Sequence, residues 1–256
     1  MQRMKLSILP IFESNYVYLF YDEDEDWCAV VDPGEAEAPL KEAKRLGRRI
    51  SHILVTHHHY DHVDGIADIV KASNATVIGF DKDAARIPLI DKQVGDGTSF
   101  NVGRFTFEVH HTPGHTLGHI IYVEKKERIC FAGDTLFVMG CGRLFEGSAA
   151  QMQASFDLLK ALPPDMEFCC AHEYGLSNGR FALSLEPDNK DIKARMREIE
   201  SRLAQKQPYM PAKLVDELRT NPFMRTNDDK LKHNIHAMGK NSQETFALLR
   251  HRKDNF

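Results

Sequence analysis

The chain has 256 residues, with 33 Lys+Arg against 37 Asp+Glu and a formal net charge of −4. Its 42% hydrophobic content is enough to build a buried core and excludes wholesale disorder. No global excess of positive charge exists to displace counterions, so gripping nucleic acid is excluded as its main work.

Taken in chain order, residues 1–20 carry Lys5 ahead of a short apolar stretch that Pro10, Glu13, Ser14 and Asn15 interrupt. No small-residue cleavage site follows, so the start reads as mature protein and not as a signal peptide. No apolar run approaches the roughly 20 residues that span a bilayer, which predicts no membrane partner. Residues 4–9, 16–21 and 28–31 read as strands, the last closed by Asp32-Pro33-Gly34. Helical spacing over residues 35–46 stops at Gly47, a C-terminal signal. A short buried strand, 53–55, runs straight into Thr56-His57-His58-His59-Tyr60-Asp61-His62. Strands are predicted at 75–80, 105–110, 119–123 and 129–132, a helix at 149–162 ending at Pro163-Pro164, and a strand at 168–171. Beyond Tyr174 the pattern turns helical, at 180–185, 190–205, 211–219, 229–238 and 243–249. A boundary near residues 172–176 therefore separates a mixed αβ domain, 1–173, from a smaller all-helical one, 174–256. The five cysteines, Cys28, Cys130, Cys141, Cys169 and Cys170, are odd in number and form no CxxC. They read as buried thiols in a reducing, cytoplasmic setting.

Histidine is the outlier, 13 in all and most of them between His52 and His119. His57, His59, Asp61 and His62 fall in one strand-to-helix loop, where function concentrates more than packing. His57 and His59 can point the same way from an extended segment, and Asp61 and His62 approach from beyond the turn. His58 and Tyr60 alternate with them and are expected to point away. Imidazole nitrogen and carboxylate oxygen are ligands that Zn²⁺ accepts at about 2.0–2.2 Å. Thr112-Pro113-Gly114-His115-Thr116, Phe131-Ala132-Gly133-Asp134-Thr135 and Cys169-Cys170-Ala171-His172-Glu173 each add one ligand-type side chain after a strand. One metal takes three or four protein ligands, whereas this inventory fits a pair of metals sharing a carboxylate.

Those motifs, in this order, resemble the metallo-β-lactamase superfamily. Asn15-Tyr16, Val31-Asp32-Pro33-Gly34, Gly140-Cys141-Gly142-Arg143-Leu144-Phe145-Glu146-Gly147 and the closing residues 250–256 extend the resemblance to the glyoxalase II (hydroxyacylglutathione hydrolase) family over nearly the whole chain. The resemblance implies an α+β fold, a four-layer αββα sandwich followed by a small helical domain. It implies that His57, His59 and His115 hold one divalent metal and Asp61, His62 and His172 a second, with Asp134 bridging. Zinc is the first choice, and iron or manganese suit the same donors. It further implies that a hydroxide bridging the metals attacks the thioester of S-(2-hydroxyacyl)glutathione, with Asp61 and Asp134 as catalytic carboxylates. Arg143, Arg250 and Lys253 would meet glutathione, with Tyr174 as an aromatic wall. Phe145 stands where some members have tyrosine, so a hydroxyl contact is missing there.

A thioester suits this inventory, because a thiol of pKa near 8.5 departs as thiolate without a strong general acid. Two rival readings keep the superfamily. A persulfide dioxygenase would use a single iron on His57, His115 and Asp134, and a nuclease would need the basic, aromatic-interleaved stretch that is absent here. The sequence reading favours a cytoplasmic monomer.

Overall fold

The computed structural model describes residues 3–256; Met1 and Gln2, which open the segment read as mature protein, lie outside it. The chain forms two units that interleave in sequence. The first comprises residues up to His111 with Gly118–Gly133 and Ala171–Glu173; the second comprises Thr112–Leu117, Asp134–Cys170 and Tyr174–Phe256.

In the first unit, β1 (Lys5–Ile11), β2 (Asn15–Tyr21) and β3 (Trp27–Val31) are antiparallel, and α1 (Glu37–Arg45) leads to β4 (Arg49–Leu54), parallel to β3. After α2 (Tyr60–Val63) and α3 (Ile66–Ser73), β5 (Thr76–Phe80) and β6 (Lys92–Val94) extend the parallel half. A second sheet is an antiparallel meander of β7 (Ser99–Val102), β8 (Phe105–His111), β9 (Ile120–Glu124) and β10 (Ile129–Gly133).

The unbroken apolar run of β2 has a simple cause: both its faces are buried. Val17 and Leu19 join Cys28, Val30, Ile53, Ala43, Ile66 and Ile69 in a core that includes α1 and α3. Tyr18 and Phe20 point the other way, onto Phe105, Phe107 and Phe131 of the meander. Helix α1 ends as its glycine predicts. Gly47, at φ +66°, donates to Lys44 O and Arg48 to Ala43 O, a Schellman closure. Strand β1 continues through Pro10, beyond the predicted end. It is an edge strand, where a missing N–H costs no ladder bond. Strands β6 and β7 carry no sequence signal, being three and four residues long with half or more of their positions exposed.

The second unit begins its regular structure with a hairpin, β11 (Leu136–Phe137) and β12 (Gly140–Cys141). Helix α4 (Ala149–Lys160) starts on a Ser148/Gln151 capping box. There follow β13 (Glu167–Cys170), α5 (Gly175–Leu185), α6 (Lys190–Ala204), β14 (Ala212–Lys213), α7 (Leu214–Thr220), α8 (Asp229–Asn234) and α9 (Ser242–Asp254). Phe156, Phe181, Phe223 and Phe246 pack edge and face at its centre. The segment read as helical also carries the two-residue β14, paired with β13. Helix α5 starts at Gly175, five residues before the predicted 180; its first turns carry Gly175 and Gly179, packed so that an added Cβ would come within 3.0 Å of Tyr209 and 2.6 Å of Met196. Among the described residues no helix is long and apolar enough to cross a membrane.

Candidate metal centre

Parallel strands β3 and β4 end at one edge of their sheet, so Asp32 and residues 56–62 arrive together. Asp32, at φ +52°, accepts from the Thr56 N–H at 2.7 Å and from the Thr56 hydroxyl at 2.6 Å. With its proton committed to Asp32, Thr56 Oγ1 accepts from His57 Nδ1, 3.1 Å away. That fixes the tautomer: the bare nitrogen of His57 is Nε2, and it faces His59 Nδ1 at 3.1 Å. The same Asp32 oxygen that takes the Thr56 hydroxyl lies 3.3 Å from His62 Nδ1, close enough for charge to act on that ring without a hydrogen bond between them. Asp32 therefore orients the His57 imidazole through Thr56, and it lies close enough to His57 and His62 to count as a ligand itself.

His62 Nε2 is 3.5 Å from Asp61 Oδ2, and His172 Nε2 is 3.4 Å from the same oxygen. These distances are longer than a charge-assisted hydrogen bond. They match the edge of a tetrahedron around an ion with bonds of about 2.1 Å, which is about 3.4 Å. The donor set of the first unit thus fits a divalent metal. Asn15 Nδ2 donates to Asp61 Oδ2 at 2.8 Å, and Ser14 Oγ lies 3.4 Å from His172 Nδ1. The Tyr16 hydroxyl donates to Glu173, and Tyr16 N to Ala171 O, so the start of β2 holds the His172 segment. Two glycines permit this crowding. A Cβ on Gly34 would meet Asp61 O at 2.1 Å, and one on Gly133, at φ +48°, would meet Thr56 Oγ1 at 2.5 Å. His58 turns instead to Asp83 at 3.0 Å and Arg86 at 3.2 Å, and Tyr60 is exposed. Both point as the alternation predicted.

In the second unit His115 Nε2 lies 3.3 Å from Asp134 Oδ2, again a ligand–ligand distance. His115 Nδ1 donates to the Arg143 carbonyl at 2.8 Å, because a carbonyl can only accept. Gly142 makes the turn possible: its Cβ would sit 2.0 Å from Asp134 O. Phe145 donates its N–H to His115 O, lays its ring 5.3 Å from the imidazole, and is exposed. The Tyr174 ring leans on Phe137 at 5.3 Å. Arg143 is largely exposed, with Nε 3.4 Å from Asp254. Arg250 differs, being buried with Nη1 donating to Cys141 O at 3.1 Å and Nη2 2.8 Å from Asp254. Lys253 Nζ lies 3.4 Å from Ser177 O and over the Phe181 and Phe256 rings. Burial, with Arg250 and Arg180 nearby, holds its ammonium below the usual lysine range.

Sequence reading gave no role to Asp32, Thr56, Asn15 or Ser14. Two signals pointed to the first pair, an Asp-Pro-Gly turn closing an apolar strand and a threonine beside the first histidine, while Asn15 stood out only within the resemblance and Ser14 not at all.

Residues 11–172 match the family described as Metallo-beta-lactamase superfamily, and residues 173–256 that described as Hydroxyacylglutathione hydrolase C-terminus. A hydroxyacylglutathione hydrolase of Rhodospirillum rubrum is 43% identical over 256 residues, 100% of both chains. The crystal structure of ETHE1 from Myxococcus xanthus gives a TM-score of 0.68 over 98% of this chain and 100% of that one, at 24% identity. TTHA1623 in a di-iron-bound form gives 0.62 over 86% of this chain and 99% of that one, also at 24%. Likeness at that identity carries the fold, which is α+β of the metallo-β-lactamase type.

Proposed function

We propose that this chain, which belongs to the hydroxyacylglutathione hydrolases of the metallo-β-lactamase superfamily, hydrolyses the thioester of S-(2-hydroxyacyl)glutathione. With S-lactoylglutathione the products are glutathione and D-lactate, the second step of methylglyoxal detoxification. The observation that carries this reading is the match of residues 173–256 to the hydrolase C-terminus, joined to a ligand set with donors to spare for a single ion. It favours the hydrolase over the single-iron dioxygenase and the nuclease.

His57, His59 and His115 are assigned to one divalent metal, Asp61, His62 and His172 to the other, and Asp134 to both. Zinc is our first choice. Such ions supply Lewis acidity and a water of lowered pKa, and they spare the chain a side-chain nucleophile. The rest falls to residues of the chain. Asp32, through Thr56, keeps the Nε2 lone pair of His57 presented, and its charge faces the His62 ring at 3.3 Å. The Arg143 carbonyl does so for His115. Asn15 steadies Asp61, the carboxylate assigned to aim the attacking water.

Substrate carboxylates call for cations. Arg143 and Lys253 have heads a ligand can reach, and buried Arg250 stiffens the tail between them through Cys141 and Asp254. Tyr174 and Phe145 supply apolar walls. The departing thiolate needs no proton in the transition state, which fits a site with no further acid assigned. We take the enzyme to act as a cytoplasmic monomer, in keeping with five buried cysteines whose Cys28, Cys130 and Cys141 thiols burial pushes up to about 12, about 12 and about 11.

The test is thiol release from S-lactoylglutathione by protein loaded with Zn²⁺, Mn²⁺ or Fe²⁺, alongside metal counted per chain. We expect release that tracks occupancy up to two ions. An intact thioester overturns the activity, and a plateau at one ion overturns the ligand assignment.

A further inference from the structure

The hairpin Leu136–Phe137/Gly140–Cys141 begins two residues after Asp134, and helices of the same unit grip its backbone at five points. Glu217 Oε2, from α7, accepts from the Met139 N–H at 2.7 Å. Asn221, just after α7, donates to Phe137 O at 3.2 Å and Gly140 O at 2.9 Å, and to Glu217 Oε2 at 2.9 Å. Asn178, from α5, donates to Val138 O at 3.1 Å, and Arg250, from α9, to Cys141 O. The hairpin is shaped for this grip. Met139 sits at φ +55°, and a side chain on Gly140 would meet Asn178 Nδ2 at 2.3 Å. Every one of these gripping side chains is buried. None of this is needed to fold a two-residue hairpin, and a buried carboxylate is a costly way to cap one N–H.

The same hairpin is tied to the side chains assigned to substrate, directly at Tyr174 and through Arg250 and Asn178 to Lys253. Phe137 backs Tyr174, the residue before α5. Cys141 anchors Arg250, three residues before Lys253. Asn178 follows Ser177, on which Lys253 rests.

We propose that this hairpin is a registration element, locked by Glu217, Asn221 and Asn178 so that the glutathione-binding side chains of the helical segment keep their spacing to Asp134. Glu217 is thereby a positioning residue for substrate and has no contact with the reacting atoms. Burial pushes its carboxyl up to about 7, opposed by Asn221, the Met139 N–H and Arg195 of α6. The chain keeps an awkward group where an apolar one would cost less, which a role in positioning explains.

The inference rests on the hydrolase reading, and the experiment separates the two. Holoenzyme is titrated with a non-hydrolysable S-alkylglutathione, and metal per chain and KM and kcat for the thioester are measured in parallel. For Glu217→Ala we expect roughly tenfold weaker S-alkylglutathione binding and a matching rise in KM, from one buried donor left unmade. Metal content should hold and kcat should change less than about twofold. Glu217→Gln, which keeps an acceptor for Met139, should recover most of the affinity. Unchanged affinity in folded Glu217→Ala, or a fall in kcat and metal with KM constant, overturns the positioning role. Wild type that fails to bind the S-alkylglutathione overturns the hydrolase reading instead. Should Glu217→Ala not fold, Asn178→Ala is read in the same titration, with roughly threefold weakening expected, and no change overturns the proposal.

Discussion

The loops after β3 and β4 and the hairpin after Asp134 both hold chemistry in place, by opposite means. In the first, Asp32 reaches Thr56 and His62, side chain to side chain, within one strand-end cluster. In the second, helical side chains seize backbone groups 40 to 109 residues distant in sequence. Imidazole ligands need a tautomer, and only a hydrogen bond to the ring can choose it. A substrate platform needs spacing, which backbone anchors secure whatever side chains the hairpin displays.

Substitutions can break this contrast or sharpen it. The largest effect is expected at the carboxylate assigned to both ions: Asp134→Ala should lose metal and reduce kcat/KM by on the order of 10³-fold or more. Metal analysis after gel filtration checks the cause, since full metal content with lost activity would leave Asp134 out of the ligand set. Next comes Asp32→Asn, which suits a positive φ yet removes the charge facing His62 and Thr56. Metal affinity, read by competition with a chromophoric chelator, should fall roughly 10- to 100-fold. An unchanged affinity would mean the imidazoles are aimed without it.

Lys253→Ala is expected to raise KM roughly tenfold with kcat little changed, the loss of one charge-assisted contact. Because burial lowers the Lys253 pKa, wild-type KM should climb at alkaline pH as the ammonium deprotonates. The variant's KM should stay flat there, so a parallel climb would place the titration elsewhere.

Glu217→Gln should disturb activity least and show itself in stability. The folded carboxyl titrates at about 7 against 4.5 for an ordinary glutamate. Between those values the folded chain keeps a proton that the unfolded chain has released, so stability falls as pH rises through the window. Removing the charge should therefore raise stability at pH 8 and not at pH 4, by up to about 3 kcal/mol. Melting curves across that range decide it, and a gain that does not grow with pH would show that Glu217 is not the titrating group.

The contrast also explains what could be read without coordinates. The side chains assigned as ligands sit in the loops just past β4, β8, β10 and β13, so local pattern exposes them, and His57 to His62 could hardly be mistaken. Asp32 was half visible, since a turn-forming Asp-Pro-Gly signals a strand end but not which ring its carboxylate meets. Glu217, Asn178 and Asn221 were invisible. In sequence they are polar residues on or just past helices, and only tertiary contact makes them interior. Arg250 was legible as a cation yet not as a buried one. Strands β6 and β7 escaped because three or four residues with a wet face carry too little pattern to count.

Position 143 does two jobs with two ends of one residue. Its main-chain oxygen steers His115, a duty any amino acid other than a distorted one could perform, while its guanidinium extends to solvent. On the assignments proposed above, exchanging that side chain would change the charge offered to a thioester and leave the hydrogen bond that orients His115 untouched, which makes this position a natural place for selectivity to drift.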